Sequence, residues 1–155
     1  MLSSDPYDLD RFVRAQATDY EQALSELREG HKRSHWMWYI FPQIEGLGLS
    51  PMSRQYSIKS AAEARAYLEH AVLGPRLKEC ATVVYNITGR SALEIFGTPD
   101  DMKLRSSATL FASVSGGGIF EQLIQKYFDG QHDEKTLQAL RSTGHDLMRA
   151  DGNQG

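Results

Sequence analysis

Apolar residues recur at helical spacing along the first half of the chain. The segment TDYE at residues 18–21 has the capping-box pattern of a helix start, and apolar positions follow it every three or four residues up to Gly30. A second box, SAAE at residues 60–63, begins an alanine-rich segment that ends near His70. Pro75 suits the first position of a further helix, which Gly89 would close. These signals predict three helices.

The second half of the chain has the same punctuation. SALE at residues 91–94 predicts a short helix stopped by Gly97, and TPDD at residues 98–101 offers a cap, a proline at the first position and two acids at the positive end of the helix dipole. We expect the helix that starts at TPDD to bury Met102, Leu110, Phe111 and Val114. Glycines 116–118 break it, a further amphipathic face ends at Gly130, and Asp133 can cap a final helix.

Signals for strands and for repeats are missing from the sequence. Convincing period-two alternation is absent, and no Asn-Gly or Asp-Gly turn lies between β-branched runs. We therefore predict an all-α fold: a single compact helical domain of seven to nine helices, and not a repeat solenoid. This domain should span residues 1–142, and residues 143–155, which are poor in apolar side chains, should form a frayed tail.

The segment SHWMWYIFPQ at residues 34–43 contains both tryptophans of the chain. Ser34 can cap a short helix that Pro42 ends. Such a helix would be apolar on all sides, so we assign Met37, Ile40 and Phe41 to the core. The tryptophans differ from these residues because each indole N–H needs a partner, which often places tryptophan at the edge of a cavity.

The longest irregular stretch, Gln43 to Ser57, follows this aromatic segment directly. A loop of that length inside a compact domain usually has a function or moves. We therefore predict a pocket beside the loop, with His35 or Glu45 as the acid–base candidate, since each can carry a proton near neutral pH if it is partly buried. The predicted ligand-binding residues are Ser34, Trp36, Trp38, Gln43 and Tyr56, with Lys103 opposite them.

Composition and charge narrow the possible classes of function. The chain has 155 residues, which suits one domain, and its net charge of −3 argues against an electrostatic nucleic-acid binder. The longest apolar run, residues 36–41, is too short to span a bilayer, and the N-terminus lacks the pattern of a signal peptide. We expect a cytoplasmic protein without nucleic-acid or membrane partners. The single cysteine, Cys80, excludes an internal disulfide and lies on an apolar face, so it should be buried.

Other chemistries find little support in the sequence. His31 and His35 would share a helix face, but the glutamate of the zincin motif is missing between them, so we expect no metal site and no cofactor. The SGGG turn at residues 115–118 could cradle an anion but does not match a nucleotide-binding fingerprint. The basic run from Arg28 to Arg33 would suit a phosphate-bearing or acidic ligand. Four polar residues of the helix after residue 98 line a cavity, lie at the surface or bond back to the helix itself: Lys103, Ser106, Ser107 and Thr109.

Four segments resemble a known family. They are SHWMWYIFPQIEGLGLS, YSI at residues 56–58, EARAYLEHAVLGPRL and DDMKLRSSATLFASV, which occur in this order and together are similar to a bacterial group known as domain-of-unknown-function family 1810. The resemblance covers about residues 8–141 and implies a compact all-helical protein whose biochemical role is not established. The chain departs from the family pattern at Ala71, where proline is usual, and at Ala108, where methionine is usual.

The name calpastatin, that of a calpain inhibitor, is often attached to this family, but it does not suit the chain. Such an inhibitor is a disordered repeat protein poor in aromatic residues, whereas this chain has 2 Trp, 7 Tyr and 6 Phe residues and well-capped helices.

Three functions remain open from the sequence. The first is a domain that binds a small polar or phosphate-bearing ligand in a cleft lined by SHWMWYIFPQ, with or without catalysis. The second is a helical interaction module without chemistry. The third, by a looser analogy of segment order, is a hydrolase of ADP-ribose derivatives. The first requires that the tryptophan edges, His35 and Glu45 converge on one concave pocket.

Overall fold

The structure is a computed structural model that describes the backbone of residues 5–150 and the side chains of residues 5–142. In this part of the chain it contains nine α-helices and no strand, apart from one isolated parallel bridge between Ile44 and Ile58. The helices are α1 Asp10–Arg28, α2 Met37–Ile40, α3 Pro51–Gln55, α4 Ala61–Glu69, α5 Leu73–Tyr85, α6 Ala92–Phe96, α7 Asp100–Ser115, α8 Gly118–Phe128 and α9 Glu134–Ala150. The predicted all-α fold is confirmed.

The predicted tail overlaps the last helix. Helix α9 continues to Ala150, beyond residue 142, where we placed the end of the domain. Residues 151–155 of the predicted tail lie outside the described range. The domain boundary therefore stays a prediction.

Helix α7 lies at the centre of the fold. It contacts α4, α6, α8 and α9, while α5 packs on α1, α4 and α8. The inner face of α7 is fully buried at Leu104, Leu110 and Phe111, because apolar side chains recur there at helical spacing. Met102, which we also expected inside, is 44% exposed, and that prediction is wrong. Val114 is half-buried.

Helices α4 and α5 meet at a glycine. A Cβ atom on Gly74 would lie 2.1 Å from the carbonyl oxygen of Leu68, far inside van der Waals contact. No residue with a side chain fits this position without moving one of the two helices. The close approach places α5 against α4.

Three predicted helix starts are confirmed by their caps. The hydroxyl oxygen of Ser60 accepts a hydrogen bond from the N–H of Glu63 at 3.1 Å. Ser91 and Glu94 form a complete reciprocal capping box. The carboxylate of Asp133 accepts the N–H of Thr136 at 3.0 Å. In each case the cap satisfies an N–H group that the first helical turn leaves without a partner.

Other predicted boundaries are wrong. Thr18 lies inside α1, which begins at Asp10 because the Asp5 carboxylate accepts the N–H groups of Leu9 and Asp10 at 2.8 and 3.0 Å. Helix α7 begins at Asp100 without a side-chain cap, so Thr98 does not have the capping role we predicted.

Helix α5 is also displaced from its predicted position. It begins at Leu73, which puts Pro75 inside its first turn, and it ends at Tyr85 rather than at Gly89. By contrast Gly30, with a φ of +74°, follows α1 closely, as its predicted role as a helix stop requires.

The stretch between Gln43 and Ser57 is more ordered than predicted. It contains α3, whose start is capped by Ser50, and the Ile44–Ile58 bridge joins its two ends. Across the bridge, the N–H of Glu45 donates to the Ile58 carbonyl at 2.7 Å and the N–H of Ile58 donates to the Gln43 carbonyl at 2.8 Å. We call residues 43–58 the bridged loop.

Arg11 fixes the end of the bridged loop to α1. Its guanidinium donates to the carbonyls of Gln55 at 2.8 Å and Ser57 at 2.7 Å, and to the Glu63 carboxylate at 2.9 Å. Its other two N–H groups donate to the carbonyls of Tyr7 and Asp8. All five donors of the guanidinium are thus satisfied, as a buried arginine requires.

We expect Cys80 to be unreactive in the native protein. The side chain is fully buried, and burial raises the pKa of its thiol to about 12. Because the thiolate is the reactive species, an excess of thiol reagent at about pH 8 should label Cys80 only after denaturant is added, as counted by mass spectrometry. Rapid stoichiometric labelling of the folded protein would contradict its burial.

Candidate functional site

The carboxylate of Glu26 organises the start of the aromatic segment. Glu26 is fully buried on α1. One of its oxygens accepts the backbone N–H groups of Arg33 and Ser34 at 2.8 and 2.9 Å and the indole N–H of Trp36 at 2.9 Å. The other oxygen accepts the hydroxyl of Ser34 at 2.5 Å and the side-chain amide of Gln22 at 2.8 Å. Five donors therefore converge on one carboxylate.

These hydrogen bonds keep Glu26 charged. Burial alone would raise the pKa of its carboxyl, but the hydrogen bonds from the side chains of Ser34 and Gln22 and from the N–H groups of Arg33 and Ser34 outweigh that effect. The pKa of Glu26 consequently lies well below its usual range. At neutral pH the group is a carboxylate that can accept every one of these donors.

Two residues that we assigned to a ligand site belong to this buried network. Ser34 is not the cap of α2, because Trp36 occupies the position before Met37 and makes no side-chain cap. Trp36 is only 1% exposed and its indole N–H is committed to Glu26. Neither residue offers a free polar group to a pocket, so the structure does not support their predicted role as ligand contacts.

The core assignment within the aromatic segment is confirmed. Met37, Ile40 and Phe41 are each 2% exposed. The ring of Phe41 packs edge-on against Phe96 of α6, with 6.0 Å between the ring centroids. This burial attaches the short helix α2 to the rest of the domain.

A chain of alternating charges and rings connects the aromatic segment to α7. The ammonium of Lys32 lies 5.0 Å from the centroid of the Trp36 ring and 2.9 Å from the carboxylate of Asp100. The ammonium of Lys103 lies 3.3 Å from the same carboxylate and 5.3 Å from the centroid of the Trp38 ring. Each tryptophan thus has a cation over its ring, in the geometry of a cation–π contact.

Two adjoining cavities lie beside the bridged loop. The larger, of about 280 Å³, lies between the loop and α7 and is lined by Gln43, Leu47, Ser53, Met102, Lys103 and Lys135, among others. The smaller, of about 20 Å³, has room for roughly one water molecule and is lined by Trp38, Gln43, Glu45 and Tyr56, among others. Because both cavities share Gln43, Gly48 and Ser53, we call them together the loop cleft.

The loop cleft unites five of the eight predicted site residues: Trp38, Gln43, Glu45, Tyr56 and Lys103. Within the part of the chain whose side chains are described, Ser34, His35 and Trp36 are not in its lining. A ligand-binding function required the tryptophan edges, His35 and Glu45 to converge on one pocket, and this convergence is therefore partial.

The two predicted acid–base residues are both exposed. His35 lies on the surface, and its carbonyl accepts a hydrogen bond from the Tyr39 hydroxyl at 3.3 Å. The side chain of Glu45 is 58% exposed and pairs with Lys59 at 3.9 Å. Since we expected partial burial for both, their catalytic role stays a prediction to which the geometry adds nothing.

The polar residues of α7 have different environments. The hydroxyls of Ser106 and Thr109 donate to the carbonyls of Met102 and Arg105, four residues earlier, at 3.2 and 2.8 Å. Ser106 also reaches the loop cleft. The buried hydroxyl of Ser107 makes no hydrogen bond with any described residue.

The described residues do not form a metal cluster or a membrane-spanning helix. Among the residues the structure describes, no three His, Cys, Asp or Glu side chains cluster as metal ligands would. His31 and His35 are exposed and lie outside any helix. None of the described helices has the length and apolar character needed to cross a bilayer.

Glu26 is the main residue that the sequence analysis missed. It lies three residues after Ala23 and next to Leu27, both fully buried, so helical spacing placed an acid on an apolar face. A charged residue in such a position needs a partner, and that requirement was a usable signal. Lys135, which lies on α9 at the rim of the larger cavity, had no comparable signal.

Comparisons with known proteins agree with the fold but give no activity. A family model described as "Protein of unknown function (DUF1810)" matches residues 6–140, which include every residue of the loop cleft. The crystal structure of the conserved hypothetical protein Rv1873 from Mycobacterium tuberculosis is similar, with 52% identity and a TM-score of 0.87. The alignment covers 88% of this chain and 99% of that chain. A search of curated proteins found no match.

Replacing Glu26 should destabilise the fold strongly. In Glu26→Gln the amide would present its own N–H groups to donors that now share a carboxylate. A hydrogen bond to a charged group contributes about 1.5–3 kcal/mol, so we expect the free energy of unfolding to fall by about 3 kcal/mol or more in urea titrations. The matched control is Glu29→Gln on the same helix, whose exposed partner is Arg33; that change should cost less than about 1 kcal/mol.

The same variant should alter how stability depends on pH. Because the pKa of Glu26 is lower in the folded protein than its reference value of 4.5, its contribution is complete above that value and shrinks as the pH falls below it. Between about pH 6 and about pH 3, the native protein should therefore lose more stability than Glu26→Gln does. If the stability of the two proteins falls in parallel as the pH is lowered, Glu26 is not the group responsible for the pH dependence.

Core and surface residues of the aromatic segment should respond differently to truncation. Met37→Ala and Phe41→Ala remove buried side chains and should each cost about 2–5 kcal/mol. His35→Ala and Glu45→Ala change exposed side chains and should leave the melting temperature within a few degrees. Melting curves of the four variants test this. If His35→Ala or Glu45→Ala unfolds the protein, those polar groups have a structural role instead.

Proposed function

The chain belongs to the DUF1810 family of proteins of unknown function, and we propose that it binds a small phosphate-bearing or otherwise anionic molecule in the loop cleft. The observation that carries this proposal is the position of Lys103. Lys103 lines the larger cavity, and its ammonium lies 5.3 Å from the Trp38 ring centroid.

The charge around Asp100 favours an anionic ligand. Asp100 pairs with both Lys32 and Lys103, so one carboxylate faces two ammonium groups and one positive charge is left over. The side chain of Lys32 is 7% exposed, whereas that of Lys103 is 22% exposed and lines the cavity. The excess charge is therefore accessible through Lys103. Lys135 adds a second cation to the same lining, and Asp133 adds a carboxylate that already accepts the N–H and the hydroxyl of Thr136.

The rest of the lining suits an organic molecule with polar groups. Leu47, Pro99 and Met102 supply apolar surface. The side-chain amide of Gln43 makes no hydrogen bond with any residue the structure describes, so its donors and its acceptor are open to a ligand. A volume of about 280 Å³ corresponds to the lower end of small-molecule sites, which favours a compact metabolite over a peptide.

Lys103 can be tested with a panel of phosphate monoesters and with ADP-ribose, a pyrophosphate esterified at both ends, with inorganic phosphate as the minimal anion. Binding should change the tryptophan fluorescence, because Lys103 lies over Trp38. Lys103→Gln should weaken binding by about tenfold to a hundredfold, the equivalent of one charge-assisted hydrogen bond. Lys78→Gln, which changes an exposed lysine of α5, is the matched control and should bind normally.

A further variant assigns the fluorescence signal. Trp38→Phe should abolish the change on ligand addition, since the buried Trp36 is held by Glu26. If no member of the panel shifts the fluorescence or the melting temperature of the folded protein, the ligand-binding function is wrong, and the interaction module without chemistry takes its place. Equal weakening in Lys103→Gln and Lys78→Gln would also contradict the proposal.

A further inference from the structure

A second and larger depression lies on the other side of the bridged loop. It has a volume of about 550 Å³ and runs between the residues before α1, the outer face of α1 and the stretch from Arg54 to Ser60. Its lining includes Tyr7, Arg11, Arg14, Arg54, Lys59 and Ser60. We call it the basic groove, because its lining carries four cationic side chains against the carboxylates of Asp8 and Glu63.

The floor of the basic groove is neutral and fixed. Arg11 and Glu63 form a buried ion pair at 2.9 Å, with side chains that are 9% and 2% exposed. All five guanidinium donors of Arg11 have acceptors in the protein. Arg11 therefore shapes the groove but leaves no donor for a ligand. The charge available to a ligand comes from the three remaining cations, and the carboxylate of Asp8 in the same lining opposes it.

These three cations are held loosely. Arg14 pairs with Asp10 at 3.0 Å, with side chains 70% and 55% exposed, and Lys59 pairs with Glu45 at 3.9 Å, with side chains 57% and 58% exposed. Exposed ion pairs contribute little to stability, so a multiply charged anion can take over either cation. Arg54 forms no ion pair with any residue the structure describes.

Polar and apolar groups complete the lining. The hydroxyl oxygen of Ser60 accepts the N–H of Glu63 at 3.1 Å, so its own hydrogen remains for a ligand oxygen. Pro6 and Tyr7 give apolar surface at one end. Guanidinium groups match the oxygens of a phosphate with paired donors. This combination fits a phosphate group that carries an organic portion.

A nucleic acid fits the basic groove less well than a small molecule. The chain has a net charge of −3, and Asp8 and Glu63 lie within the lining. A nucleic-acid surface would extend its positive charge over a whole face. A depression of about 550 Å³ is instead within the size range of small-molecule sites.

From this geometry we propose that the basic groove binds a phosphate-bearing small molecule through Arg14, Arg54 and Lys59. This site is separate from the loop cleft. The basic groove has no lining residue in common with the larger cavity and shares only Arg54 with the smaller one. The inference therefore does not depend on the function proposed for Lys103.

Pyrophosphate is a suitable probe for the basic groove. Isothermal titration of the full chain at low ionic strength should give saturable binding with a dissociation constant below about 1 mM, which weakens as salt is added. The double variant Arg14→Gln/Lys59→Gln should weaken binding by about tenfold or more. Arg65→Gln/Lys78→Gln removes the same charges from exposed positions of α4 and α5 outside the groove and should bind as the unaltered protein does.

Two further measurements separate this site from the loop cleft and from any effect on folding. Lys103→Gln changes the loop cleft, so it should leave unchanged the pyrophosphate concentration at which amide resonances beside the basic groove shift. In the unaltered protein, the amide resonances of Tyr7, Gln55 and Ser60 should shift on titration. The proposal is overturned if pyrophosphate does not saturate, if both double variants weaken binding equally, or if the resonances that shift surround Lys103 instead.

Discussion

The buried carboxylate of Glu26 is the group on which the aromatic segment depends. An isolated charge inside a protein is expensive, and Glu26 is tolerated because five donors surround it. Two of those donors are backbone N–H groups of residues that belong to no helix. The carboxylate thus replaces the backbone partners that a helix would have supplied, and it turns the indole of Trp36 inward. Helix α2 starts from this fixed point, which is why Met37 and Phe41 enter the core.

Arg11 provides the corresponding anchor at the other end of the same stretch. Both buried charges lie on α1: Glu26 holds residues 33–36, and Arg11 holds the carbonyls of Gln55 and Ser57. Between these anchors the chain packs through Phe41 and Ile44 and then closes on itself at the Ile44–Ile58 bridge. The exposed residues, such as Leu49 at 78%, lie at the far tip of the bridged loop. One long helix therefore positions the whole stretch that separates the loop cleft from the basic groove.

Local signals in the sequence predicted the features that depend on residues near each other in the chain. They failed for features that depend on contacts between distant residues. The box at Ser91 and Glu94 is real, whereas the same pattern at Thr18 lies inside α1, because Asp5 starts the helix earlier and the apolar spacing continues through. Burial of Phe41 followed from apolar composition alone. The contact of Lys103 with Trp38, and the commitment of Trp36 to Glu26, depend on how α7 and α1 pack against the aromatic segment. Such packing is set by the whole core, so only a structure could reveal which predicted site residues meet.

The bridged loop lies between two groups of cationic side chains. In a chain with a net charge of −3, accessible cations face both sides of this loop: Lys103 and Lys135 line the loop cleft, and Arg14 and Lys59 line the basic groove. The loop itself contributes Gln43 to the loop cleft, and it contributes Arg54 both to the basic groove and to the smaller cavity of the cleft. Its ends are fixed by the Ile44–Ile58 bridge and by Arg11. Binding costs free energy whenever it orders a mobile segment. Because the bridged loop is already held at both ends, a few cations suffice for each of the two proposed sites.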